Sequence, residues 1–159
     1  MALDLSTVLV IGVSSRSLFD LEEENRVFEK QGIQAYKEYQ LQRESKILKP
    51  GTAFPLVNSL LKLNSLNPEK RVVEVIVMSH NTPDISLRIS KSIEYHNLDI
   101  SRMVFTGNES LTPYLEAFDV DLFLSKYESN VQAWVTHEFF VRGQYTKIQS
   151  NYIPFSSKI

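Results

Sequence analysis

No cysteine occurs in the 159 residues, which removes disulfides, thiolate metal sites and cysteine nucleophiles together. Glycine is scarce as well. The chain holds 5, and none builds G-x-G-x-x-G or G-x-x-x-x-G-K-[ST], so a nucleotide cradled by a glycine loop has no support. The 3 histidines, His80, His96 and His137, stand singly, without metal-ligand spacing. A serine hydrolase elbow needs G-x-S-x-G, and Ser14 has neither glycine in place. Long apolar runs are missing too: the longest are strand-sized, far below the roughly 20 residues that span a bilayer. No membrane partner is therefore expected. Formal net charge is −2, with both signs interspersed and no basic stripe, so a nucleic-acid partner is not expected either. With no signal-peptide pattern, the expected location is cytoplasmic.

What is present is a series of short, β-branched-rich runs. Thr7–Val13, Val72–Met78, Met103–Thr106 and Val120–Leu124 read as buried strands. Helical patterns separate them. Thr82-Pro83-Asp84 reads as a helix start, with Thr82 as cap and Pro83 in the first turn, followed by Ile85, Ile89, Ile93 and His96 at helical spacing. Ser110 is expected to cap a short helix through Leu115, and another helix is expected to begin near Tyr127–Glu128, carrying Val131 and Trp134. Strand and helix in alternation are the signature of a parallel sheet with right-handed crossovers. The expected fold is α/β, a three-layer parallel sheet forming one domain over residues 1–159.

One interval departs from a plain repeat. Between the first two strands lie two helical patterns, Leu21 to Arg43, interrupted by Gly32, and Ala53 to Leu66, after the turn Lys49-Pro50-Gly51. This helical excursion, 21–66, reads either as a cap over the mouth of the sheet or as a surface hairpin. Glu22-Glu23-Glu24 reads as a solvated first turn complementing the helix dipole. The tail, 139–159, reads as irregular: either it gives one edge strand, at Phe139–Val141 or Tyr145–Ile148, or it is loosely held.

In a parallel sheet the C-terminal strand ends converge on one face. Here they are Ser14-Ser15-Arg16, Ser79-His80-Asn81, Thr106-Gly107-Asn108 and Ser125-Lys126. Hydroxyls, amides and a guanidinium fork suit a phosphate or a carboxylate. The candidate pocket is accordingly Ser14, Ser15, Arg16, Ser79, Asn81, Thr106, Gly107 and Ser125. The same residue types are ordinary in strand-to-helix turns, so the pattern alone leaves the plain structural reading open. A receiver-type phosphoacceptor site is excluded: it needs acids after strand one and an aspartate after strand three.

These turns carry a resemblance. Ser14-Ser15-Arg16-Ser17-Leu18-Phe19, Gln31-Gly32 with Tyr36 and Tyr39-Gln40-Leu41, and Pro50-Gly51-x-Ala53-Phe54-Pro55 resemble cytosolic 5'-nucleotidases of type I. So do Val77-Met78-Ser79-x-Asn81, Arg88 with Ser92-Ile93, Phe105-Thr106-Gly107, Tyr114-Leu115-x-Ala117 and Leu122-Phe123-Leu124-Ser125, in order over residues 7–135. The resemblance implies a haloacid-dehalogenase-like (Rossmann-like) fold and a family reaction, the Mg²⁺-dependent hydrolysis of nucleoside 5'-monophosphates such as AMP. It also implies two related halves, of which the later carries the catalytic Asp-x-Asp and the metal-binding acids. The half resembled here is the earlier, N-terminal one, where the corresponding turn reads Ser14-Ser15-Arg16.

The chemistry of that substitution is adverse. An aspartyl-phosphate route needs a carboxylate nucleophile and carboxylates on Mg²⁺, and arginine supplies neither an acid nor a ligand. Asp20 lies beyond the turn, and Ser125 and Lys126 stand where a metal-binding acid is wanted, with Glu128 the nearest carboxylate. Ser79 alone fits its implied role, a hydroxyl that bonds the phosphate. The expectation is a non-catalytic domain, binding no Mg²⁺ by itself, that holds a phosphate or nucleoside monophosphate or supports a catalytic nucleotidase half. Two alternatives stay open: an active phosphatase with atypical residues, and an interaction module that dimerises through Phe139, Phe140 and Tyr145.

Overall fold

The structure, a computed structural model, describes residues 7–126. Its centre is a four-stranded, all-parallel sheet: β1 (Leu9–Ser14), β2 (Val73–Ser79), β3 (Arg102–Phe105) and β4 (Leu122–Leu124), in the order β3-β2-β1-β4. The two central strands are the most apolar, because both their faces are covered. Every residue of β2 is buried, whereas β3 and β4, at the edges, are half-buried or mixed. Each strand lies within two residues of its expected position. The register pairs Leu9 with Val73 and Ser14 with Met78, which brings the polar ends of β1 and β2 level.

Helices cover both faces, giving the three layers. On one face Ile11, Val13, Val73, Val75 and Val77 pack against α1 (Ser15–Leu18), α3 (Phe54–Leu61) and α4 (Ser86–Tyr95), through Leu18, Val57, Ile89 and Ile93. On the other, Val10, Ile76 and Met78 meet Leu115 of α5 (Thr112–Ala117), with Val120 and Phe123. Burying each such side chain stabilises the fold by about 1.5–3 kcal/mol. The division follows from handedness. Connections β1→β2 and β2→β3 run one way along the sheet and β3→β4 runs the other, so right-handed crossovers place their helices on opposite faces. The chain direction therefore reverses between β1 and β4, which makes the gap beyond their C-terminal ends a topological switch point.

Between β1 and β2 the chain forms α2 (Glu22–Gln42) and then α3, which runs on into a 3-10 stretch, Lys62–Leu66. Gly32, at φ 82° and ψ −175°, breaks α2 where the sequence marks an interruption. The turn after α2 is pinned to α1 and the residues just after it. Asp20 N–H donates to Lys49 O, Gly51 N–H to Leu18 O, and Ala53 N–H to Ser17 O, each within 2.9 Å.

Several expectations need correction. Thr82 makes no side-chain capping bond; a 3-10 turn, Pro83–Ile85, precedes α4, which starts at Ser86. The Ser110 hydroxyl does accept from Thr112 N–H at 3.2 Å, but α5 begins one residue further along than a cap at Ser110 sets, and ends at Ala117. His96, expected at helical spacing after Ile93, is the C-cap of α4 and packs against Phe19 and Phe54. The acidic triplet forms the first turn of α2 with Glu22 and Glu23 exposed, as expected, but its third member is not solvated. Glu24 is buried and pairs with buried Arg88 at 2.7 Å, and that cation also donates to Gln40 Oε1 and Lys46 O. The helix expected near Tyr127 and the tail 139–159 lie outside the described residues.

Candidate functional site

The sharp turn after β1 is built by hydroxyls. Ser14 is the N-cap of α1: its Oγ accepts from Ser17 N–H at 3.3 Å and donates to Ser17 Oγ at 2.9 Å. This capping, worth about 1 kcal/mol, fixes the direction in which the next two side chains leave the sheet. Ser15 Oγ then lies 2.9 Å from Ser79 Oγ, at the end of the neighbouring strand. Ser79 Oγ also accepts from Asn81 N–H at 3.2 Å. Ser14, Ser15 and Ser79 are all buried.

These residues share one small pocket of about 30 Å³, lined by Ser14, Ser15, Arg16, Met78, Ser79, His80 and Asn81. Five of the eight residues expected at the site therefore converge. The other three do not line it. Thr106 and Gly107 hold the neighbouring loop instead: Thr106 N–H donates to Ser79 O, Gly107 N–H to Asn81 O, and Thr106 Oγ1 to Glu109 O. Ser125 follows β4 and is absent from the pocket wall; its exposed neighbour Lys126 pairs with Glu22 outside that wall.

Arg16 joins this pocket to a larger cleft of about 100 Å³ beneath α2. His80 and Asn81 are common to both. The cleft has an apolar wall, Phe28, Ile33 and Tyr36, with the Phe28 and Tyr36 rings edge to face at 5.8 Å. Its polar wall includes Asn25, Thr82 and Asn108. Gly107 and Asn108, at φ 60° and 76°, make the left-handed turn that carries Asn108 there. Asparagine tolerates this conformation better than most residues.

Charge at the site is organised around Glu22. Arg16 donates to both Glu22 carboxylate oxygens at 3.2 Å and to Asn25 Oδ1 at 3.0 Å. Lys126 Nζ donates to Glu22 Oε1 at 2.9 Å. The Lys126 hydrogen bond, with the Arg16 charge, holds the Glu22 carboxyl below the usual glutamate range, against a smaller opposing push from burial. Nearby, a hydrogen bond from Tyr39 lowers Glu23, while partial burial and that same bond raise Tyr39. Glu22 and Asn25 were missed by sequence reasoning, and His80, named at its strand end, was not carried into the candidate pocket. A carboxylate in a first helical turn looks like dipole complementation, and its partner Lys126 stands 104 positions away.

The pocket wall contains hydroxyls, an amide, a guanidinium, an imidazole and a thioether, but no carboxylate. Among the described residues, no group of three or more His, Cys, Asp or Glu side chains is placed to hold a metal ion. A hard cation such as Mg²⁺ takes oxygen ligands with carboxylates prominent among them, so this donor set does not fit it.

Fold and site together define an open α/β domain with a polar, cationic pocket at the ends of its central strands. The chain belongs to the 5'-nucleotidase family, whose model, described as 5'-nucleotidase, matches residues 1–149. It is 30% identical over 129 residues to cytosolic 5'-nucleotidase 1B of Homo sapiens, an alignment covering 78% of this chain and 21% of that protein. The chain thus spans about a fifth of that relative's length. No solved structure matches it significantly. Among the described residues, no helix is long and apolar enough to cross a membrane.

Proposed function

We propose that this chain is a non-catalytic, haloacid-dehalogenase-like domain of the 5'-nucleotidase family. It binds the phosphoryl group of a nucleoside 5'-monophosphate, or free phosphate, in the cytoplasm, and supports a catalytic nucleotidase half. The observation that carries this reading is the pairing of Ser15 Oγ with Ser79 Oγ at 2.9 Å beside Arg16, in a pocket without a carboxylate. Hydroxyl and guanidinium donors recognise phosphoryl oxygens, and the cleft beneath α2 offers an aromatic wall to the rest of the ligand.

The chemistry favours binding over turnover. Both bonds of Ser14 Oγ run to Ser17, so no base is paired with it, and an unassisted serine hydroxyl is a weak nucleophile. By its resemblance, Arg16 is the counterpart of the acid in the Asp-x-Asp that the family's later half carries, and the donor set of the pocket does not fit Mg²⁺.

The test has two arms. Phosphate release from AMP by the purified chain, with and without Mg²⁺, is expected to stay at the no-protein level. Metal-dependent release that follows the protein through purification would overturn the non-catalytic reading. Calorimetric titration with phosphate and AMP is expected to show binding that Arg16→Ala weakens. Equal affinity in the variant would reject the pocket.

A further inference from the structure

The switch point between β1 and β4 is where an open parallel sheet offers its ligand crevice. In this protein one of its own carboxylates stands there. Arg16 follows β1, Lys126 follows β4, and both donate to Glu22, at 3.2 and 2.9 Å. The Arg16 side chain is 16% exposed, so it is held largely inside the site, while Glu22 is 49% exposed and able to swing into water. The cation at the pocket wall is fixed, and the anion bound to it is replaceable.

We propose that Glu22 is an intramolecular stand-in for the bound anion: a phosphate dianion enters by displacing its carboxylate from Arg16 and Lys126. This rests on the reading that the strand-end pocket takes a phosphoryl group. With Glu22 in place the three side chains sum to one positive charge; with Glu22 withdrawn they present two, matching a dianion. Arg16 already lines the pocket of Ser15 and Ser79, so its fork needs only to exchange carboxylate oxygens for phosphoryl oxygens. A glutamate carboxyl is ionised at neutral pH, so the stand-in is charged there. Glu22 is also the first residue of α2, the helix that roofs the neighbouring cleft. Ligand entry therefore releases one of the contacts that hold the first turn of that roof, while Glu24 of the same turn stays paired with Arg88.

The test is titration of the full chain with inorganic phosphate at low ionic strength. Glu22→Gln, which keeps the shape and removes the charge, is expected to bind on the order of fivefold tighter than the unaltered protein. Glu22→Ala is expected to move in the same direction, and circular dichroism checks that both fold. Adding Arg16→Ala to Glu22→Gln is expected to abolish the gain. Unchanged or weaker binding by Glu22→Gln, with Arg16→Ala still weakening the unaltered protein, overturns the displacement while leaving the pocket intact. A gain that survives Arg16→Ala also overturns it. Absence of phosphate binding in every form sinks both the displacement and the pocket.

Discussion

Ser15 and Ser79 lie 64 positions apart, yet their hydroxyl oxygens meet at 2.9 Å. Parallel pairing of β1 with β2, with Ser14 level with Met78, is what brings them together. Either can donate to the other. A buried hydroxyl pair of this kind contributes about 0.5–1.5 kcal/mol; losing Ser79 takes away the partner of Ser15, whereas Ser79 without Ser15 still accepts from Asn81 N–H. A double-mutant cycle with Ser15→Ala and Ser79→Ala, followed by urea denaturation, is expected to show coupling of that size. Strict additivity would mean that the two do not bond.

The buried ion pair of Arg88 with Glu24 should be costly to break from one side. Arg88→Met strands the Glu24 carboxylate in a dry environment and removes the bonds to Gln40 and Lys46 O, and is expected to destabilise by about 3–5 kcal/mol. Replacing both charges, with Arg88→Met and Glu24→Leu together, should recover much of the loss. Thermal denaturation of the unaltered protein, the single and the double variant measures this. A double variant worse than the single would contradict the account.

Two glycines should respond differently to alanine. At Gly51 an added Cβ meets Ser17 O at 2.6 Å and Phe19 backbone atoms within 2.9 Å, so the pinned turn must shift, at about 1–3 kcal/mol. Gly107 has open space around it but φ +60°, so Gly107→Ala should cost only the left-handed penalty, about 1–2 kcal/mol. Denaturation midpoints give both values. The sharper contrast is structural: only Gly51→Ala should disturb packing near Phe19, visible in near-ultraviolet dichroism.

Stability should depend on acid through Glu22. The Lys126 hydrogen bond and the Arg16 charge lower its folded-state titration below the ordinary 4.5. Its contribution is therefore fully present above that ordinary value and lost as pH falls through the lower folded value. The carboxylate is half exposed, so the effect is small, about 0.5 kcal/mol, and salt reduces it. At pH 7 the unaltered protein should be slightly more stable than Glu22→Gln, and the difference should close in strong acid. A difference independent of pH would show that the charge is not its source.

Restoring carboxylates should not restore catalysis. In the double variant Ser14→Asp with Arg16→Asp, the carboxylate introduced at the first position must also replace the α1 cap, and the one introduced at the second faces Glu22 as a like charge. A metal's further ligand is still absent from the pocket wall. No Mg²⁺-dependent AMP hydrolysis is expected from the double variant. Measurable turnover would show that the scaffold had kept a working metal site.

What the sequence alone determined was the part written in local pattern. Runs of β-branched residues from Val8 to Val13 and from Val72 to Met78 can only be satisfied by burial on both faces, and that dictates parallel strands between helices. Gly32 and the Lys49-Pro50-Gly51 turn marked their breaks for the same reason, since backbone preference is local. Ser14, Ser15, Arg16, Ser79 and Asn81 were legible as one group because parallel strands end on one side.

Only the tertiary structure decided what those side chains do. Thr106 and Gly107 close their own loop, and Lys126 rather than Ser125 is the residue after β4 that pairs with Glu22, because loop geometry chooses which residue of a turn meets which partner. Glu22, Glu23 and Glu24 are consecutive and chemically identical, yet one bridges two cations, one accepts from Tyr39, and one is buried against Arg88. Their partners lie up to 104 positions away. Pairing of charges over that distance is a property of packing in three dimensions, and a periodicity along the chain carries no trace of it.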